Sequence, residues 1–225
     1  MKKVLMIAVA ACFIGSAANA QDVYKQTGGE GNIEVLFAPL GGNPIGINGI
    51  KYRKFTEANR AWRAEAFVGF NTSTDIVGEF DNNDLTDRRT SLDIELAFGI
   101  ENHLPGTDRL SPYWGYEGRI GFGTDSRTTE SVGIDGDFEP ALQEDKRSDG
   151  FFSIGAFGIA GFDYYFAHNI YIGAELGVGA RFITDFDTKF ESSVGNESST
   201  SESPNGSALN FGPVVQGRLR LGVLF

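Results

Sequence analysis

Apolar and polar residues alternate with a period of two through most of the chain. The sharpest case sets Leu92, Ile94, Leu96, Phe98 and Ile100 against Ser91, Asp93, Glu95, Ala97, Gly99 and Glu101. A helix is excluded there, because Asp93, Glu95 and Glu101 would interrupt its apolar stripe. Seven more segments carry the same period. Gly31 to Leu40 alternates Ile33, Val35 and Phe37 with Glu34 and Leu36. Ile45 to Phe55 places Ile50 and Tyr52 on one face and Lys51 and Arg53 on the other. From Ala61, the set Trp62, Ala64, Ala66, Val68, Phe70 opposes Arg63, Glu65, Phe67, Gly69 and Asn71. Pro112 to Thr124 sets Trp114, Tyr116, Ile120 and Phe122 against Tyr113, Glu117 and Arg119. Phe151 to Phe166 puts Phe152, Ile154, Ala156, Ala160, Phe162 and Tyr164 together. Ile170 to Phe182 alternates an apolar set ending in Phe182 with Tyr171, Glu175 and Arg181. Finally, Phe211, Leu219, Leu221, Val223 and Phe225 share a face in Leu209 to Phe225, with Asn210, Gln216, Arg218 and Arg220 on the other.

The connections alternate as well. After a first hairpin at Gly41 to Pro44, polar loops over Thr72–Arg88, Asp125–Gly150 and Ile183–Ala208 have 17, 26 and 26 residues. They interleave with short turns, the tightest at Ala167, His168 and Asn169. Together these features predict an all-β fold: an eight-stranded antiparallel up-and-down transmembrane β-barrel with short periplasmic turns and long acidic extracellular loops. The apolar faces would meet lipid and the charged faces the lumen. Outer-face aromatics would form two interfacial girdles: Phe70, Phe122, Phe152, Phe182 and Phe211 on the loop side, and Trp62, Trp114, Tyr164 and Phe225 on the turn side. A soluble ligand barrel is the rival fold, and it would bury Trp62, Trp114, Leu92, Ile94 and Leu96 instead.

Targeting agrees with export. Residues 1–20 combine Lys2 and Lys3, an apolar run from Val4 to Ile14, and Ala18-Asn19-Ala20, the form of a cleaved signal peptide. Residues 21–30 then read as a polar periplasmic leader and 31–225 as the outer-membrane barrel, with both termini periplasmic. Cys12 falls inside the signal, so the mature chain has no thiol for a disulfide.

Charge adds a segregation that the pattern alone does not give. The mature chain holds 30 acidic and 17 basic residues, and the three long loops carry 18 acidic and 5 basic of these. The remainder balances at 12 of each sign. Such acidity argues against nucleic acid as a partner. The inward set contains Glu34, Glu65, Asp93, Glu95, Glu117, Asp163 and Glu175 against Lys51, Arg53, Arg63, Arg119, Arg181, Arg218 and Arg220. Seven of each sign in one narrow interior are expected to pair and to plug it.

No catalytic constellation stands out. Asp93 and Glu95 share the lumen face with arginines, and His103 and His168 fall in predicted periplasmic turns. The glycines of Gly118–Gly123 lie within a strand with no strand-to-helix transition, unlike a phosphate loop. The acidic clusters Asp81–Asp84 and Asp135–Asp137 lack a full calcium-ligand pattern. Neither a metal nor a cofactor is expected.

The signal, the eight alternating segments, the unequal loops and the terminal LRLGVLF resemble the small OmpA-type and OmpX-type outer-membrane barrels of Gram-negative bacteria. The resemblance implies that Leu219, Leu221, Val223 and Phe225 form a signal read by the barrel-insertion machinery. It implies outer-membrane lipid and lipopolysaccharide as surroundings, and no peptidoglycan-binding domain is expected. A non-enzymatic structural or interaction role is expected, alone or as a small subunit of a larger outer-membrane complex. A narrow porin-like channel and a lipid-modifying enzyme are the alternatives.

Overall fold

Strand formation follows the alternation and then runs beyond it. In the computed structural model, residues 24–38, 46–134 and 140–225 are described, with backbone alone at 37–38, 46–48 and 213–218. The signal peptide, the turn Gly41–Pro44 and the cluster Asp135–Asp137 lie outside the described residues. The strands are β1 (Gly31–Ala38), β2 (Gly46–Glu57), β3 (Arg60–Phe80), β4 (Asn83–His103), β5 (Leu110–Ile134), β6 (Pro140–Ala167), β7 (Ile170–Asp185), β8 (Thr188–Val194), β9 (Glu197–Ser203) and β10 (Ser207–Leu224). Eight of them close a ring in the order β1-β2-β3-β4-β5-β6-β7-β10, every neighbour antiparallel.

The ring is staggered. Following cross-strand partners from Ile33 through Tyr52, Ala64, Phe98, Gly118, Ala156 and Ala180 leads to Phe211, twelve residues before Val223, which is the residue paired with Ile33. Closure with such a stagger requires tilted strands.

The three long loops expected from the sequence are instead β-structure. Thr72–Arg88 continues β3 and β4 as one hairpin, turned by Asp81 (φ 50°) and Asn82 (φ 59°). Two successive left-handed residues make the tight turn whose twist suits a hairpin, and short polar side chains tolerate that geometry. Most of Asp125–Gly150 likewise extends β5 and β6, paired out to Ile134 and Pro140. Within Ile183–Ala208, β8 and β9 form a hairpin that pairs with β6 above the point where β7 ends. These segments escaped the apolar-polar test because both of their faces are polar. The result is a six-stranded wall, β3-β4-β5-β6-β8-β9, rising from one side of the ring.

The ring buries its polar face and exposes its apolar one. Glu34, Lys51, Arg53, Glu101 and Asp163 are wholly enclosed. Trp62 is 59% exposed and Phe70 67%, which contradicts the soluble rival. Trp114, Phe122, Phe152, Tyr164, Phe182, Phe211 and Phe225 are exposed as well. On the loop side, Phe122 pairs directly with Phe152, and Phe182 pairs with Ile154 and Leu209. From Trp62 to Phe70 the strand advances by about 26 Å. Among the described residues, Phe55, Ala61 and Leu224 form a small buried apolar cluster at the short-turn end, and Leu36, Ala97, Phe157 and Ile159 are buried outside it.

Candidate functional site

Adjacent strands deliver charges to the interior because every second residue points inward, and Tyr113, Tyr165 and Tyr171 are buried among them. Arg53 of β2 sits at the centre. Its Nε lies 2.6 Å from Glu34 of β1, Nη1 donates to Glu101 of β4 at 2.8 Å, and Nη2 donates to Asp163 of β6 at 2.7 Å. Its plane is flanked by the rings of Phe55, Tyr113 and Tyr171, at 5.5, 5.8 and 5.2 Å. One guanidinium therefore joins three strands of opposite charge, which a point-like ammonium cannot do.

A second centre forms on Glu175 of β7. Arg63 grips it through two parallel bonds of 2.8 and 2.9 Å, Tyr113 donates at 2.5 Å, and Lys51 approaches to 3.2 Å. Arg63 also meets Glu101 at 2.9 Å and Glu117 at 3.0 Å. Arg220 of β10 completes the group, donating to Glu34 at 3.2 Å and Asp163 at 2.8 Å while lying 3.9 Å from Glu175. Tyr171 bridges again, accepting from Asn32 at 2.8 Å and Arg53 at 2.6 Å and donating to Glu34 at 2.7 Å.

Of the fourteen inward charges expected to pair, Glu34, Lys51, Arg53, Arg63, Glu65, Glu117, Arg119, Asp163, Glu175 and Arg220 are brought together and buried. Glu65 lies 3.7 Å from Arg63 and 3.9 Å from Lys51, and Arg119 holds Glu117 through Nε at 2.6 Å. Glu95 and Arg181 lie higher and are more exposed, with Glu95 3.2 Å from both Arg119 and Arg181. Asp93 is at the wide mouth, in a bowl of about 370 Å³ with Ser91, Asp125, Asp149 and Asp185. The backbone of Arg218 pairs with that of Glu175, but its side chain lies outside the described residues.

Three contributors were not singled out from sequence. Glu101 was placed on the inward face but left out of the charge balance, although it meets Arg53 and Arg63. His103 is not in a turn: it ends β4, buried, with Nδ1 2.8 Å from Ser111 and Nε2 3.3 Å from Glu101. Gln26, in the segment expected to be a polar periplasmic leader, is buried beneath the network. Its Nε2 donates to Ser111 at 2.9 Å and Ala58 O at 3.2 Å and lies 3.2 Å from His103 Nδ1, while its Oε1 accepts from Tyr165 at 3.1 Å. Backbone bonds from Gly29 to Phe55 and from Phe55 to Glu30 fix this segment as a floor across the short-turn end. Inward parity was the available signal for Glu101 and His103. Nothing local marks Gln26.

No protein-family model matches the chain, and no curated protein matches it. Among solved structures it is similar to the crystal structure of Acinetobacter baumannii CarO, at 11% identity and a TM-score of 0.38, covering 88% of this chain and 97% of that one. A likeness so distant carries no statement about this protein.

Proposed function

We propose that the protein is an integral outer-membrane β-barrel with a plugged lumen and a non-enzymatic role, structural or as a surface for interaction. One observation supports the reading: the ring is inside out for water, with Lys51, Arg53, Arg63, Glu34, Glu101 and Glu175 enclosed and Trp62, Phe98, Trp114 and Ile154 outside. Burying several ions while exposing aromatic side chains is costly in water and favourable in a bilayer, where the outer face is solvated by hydrocarbon. The short turns and both chain termini would lie in the periplasm and the wall outside the cell. Leu219 and Leu221 on the exposed face of β10, with Phe225 just after it, suit recognition by the insertion machinery.

Separation of cell envelopes tests this. Recovery in the detergent-extracted outer membrane, with gel mobility that changes on heating, is the expected result. Release as a soluble periplasmic protein would overturn it.

A further inference from the structure

One exposed aromatic ring faces inward. Phe190 of β8 pairs with Arg147 of β6 and Ser201 of β9, and Arg147 pairs with Arg127 of β5, so all four share the inner face of the wall. The Phe190 residue is 42% exposed. The other exposed aromatic rings among the described residues lie outward on the ring strands or beside them, as Phe186 does against Phe122 at 5.9 Å. Contact with hydrocarbon accounts for those. Hydrocarbon does not reach the inner face above the ring, so Phe190 needs another cause.

A pocket of about 290 Å³ lies beside it, between β5, β6 and the β8–β9 hairpin, and is also lined by Arg127, Thr129, Arg147, Ser192, Ser199 and Ser201. Its arginines are already matched: Asp87 accepts from Arg127 at 2.9 and 2.7 Å, and Arg147 lies 2.9 Å from Asp149. Asp145, on the same wall of the pocket, accepts from Ser192 at 2.6 Å and from Gln143 at 2.9 Å. The hydroxyls of Ser199 and Ser201 have no hydrogen bond among the described residues, and each can donate once and accept twice. A ligand cation over the ring would meet Arg147, whose guanidinium lies 5.8 Å from the ring centroid, and an anion would meet Asp145. What fits is an uncharged molecule with one apolar face and a rim of hydroxyls. A pyranose has that form, C–H bonds on its face and hydroxyls round its edge, and small pockets of this kind fix a ligand by a few placed polar groups.

We propose that Phe190 and the pocket beside it bind neutral saccharides outside the cell. The proposal gives the interaction surface a ligand and rests on the membrane reading for the side it faces. Full-length protein in phospholipid nanodiscs, free of sugar-based detergent, is applied to an array of neutral and uronate-bearing oligosaccharides, and the best neutral binder is titrated by saturation-transfer NMR. Neutral oligosaccharides are expected to bind. Phe190→Ala is expected to weaken binding roughly tenfold, and Phe190→Trp, which restores a ring, to recover it. Phe186→Ala, which removes an exposed ring from the outward side, is expected to bind as the wild type does. Binding of uronate-bearing sugars alone, no binding at all, an unaffected Phe190→Ala, or an equal loss with Phe186→Ala overturns the proposal. Competition by polysaccharide released from the same cells marks the ligand as the cell's own, and its absence marks the ligand as foreign; both accord with a saccharide site. Heat-dependent gel mobility of each variant reports folding, and recovery in the membrane fraction reports the membrane reading separately.

Discussion

Arg53 shows what one inward residue must do in this ring. Its guanidinium faces Glu34, Glu101 and Asp163 from three other strands, all fully buried. Arg53→Met keeps the length and removes the charge, leaving those carboxylates without their shared cation. Loss of one partner from a buried ion group costs about 3–5 kcal/mol. A urea titration of the folded protein in detergent should show that loss, and an unchanged midpoint would mean that water reaches the network. Arg53→Lys is expected to recover only part, since one ammonium cannot span β1, β4 and β6. Parity made Arg53 legible as inward despite the crowding of Lys51 and Lys54. Its three partners were not legible, because they depend on the stagger between strands and not on spacing along any one of them.

At the scale of elements, the hairpins above the ring are held by contacts at their surface. Arg127 donates to Asp87 at 2.9 and 2.7 Å, and Glu130 accepts from the backbone and hydroxyl of Thr86 at 2.9 and 2.7 Å. The hydrogen bonds from Arg127 hold the Asp87 carboxyl below its ordinary value, and those from Thr86 do the same for Glu130. Both groups therefore bind protons more weakly when folded than when unfolded. Their stabilisation is complete above the ordinary carboxylate range and is lost as pH falls through the depressed values. Protection of the Thr86 amide from hydrogen exchange should drop as the pH falls below the ordinary carboxylate range and through the depressed value of Glu130; constant protection would contradict the clamp. The floor makes a separate prediction. Gln26→Leu removes the donor to Ser111 and the acceptor for Tyr165, so His103 should become more reactive towards diethylpyrocarbonate. Unchanged labelling would show that the segment closes the end without that amide. The paired segments β3 to β7 were legible where an apolar face met a polar one. Their extensions were not, because Thr72–Asp75 and Ser126–Thr129 are polar on both sides and only β-branched threonine and the two-residue turn at Asp81–Asn82 hint at them.

For the whole molecule, Lys51, Arg53, Arg63 and Arg220 cross the interior to Glu34, Glu101, Asp163 and Glu175, and Gln26 lies below them. Planar bilayers holding the protein are expected to stay silent at every voltage, and stepwise conductance would sink the plugged reading. The architecture was legible as a closed set of alternating strands, while the wall had to be seen in three dimensions. The network also constrains how the molecule assembles. Glu34 and its partner Arg220 are 186 residues apart, and Arg220 also meets Asp163. Until the final strand arrives, these acids lack one of their cations and the interior must stay wet. Sealing the seam between β1 and β10 and neutralising the interior are thus a single event. A chain stalled one strand short would carry surplus negative charge facing an open cleft, poorly suited to hydrocarbon, so completion of the ring and stable residence in the bilayer should be reached together.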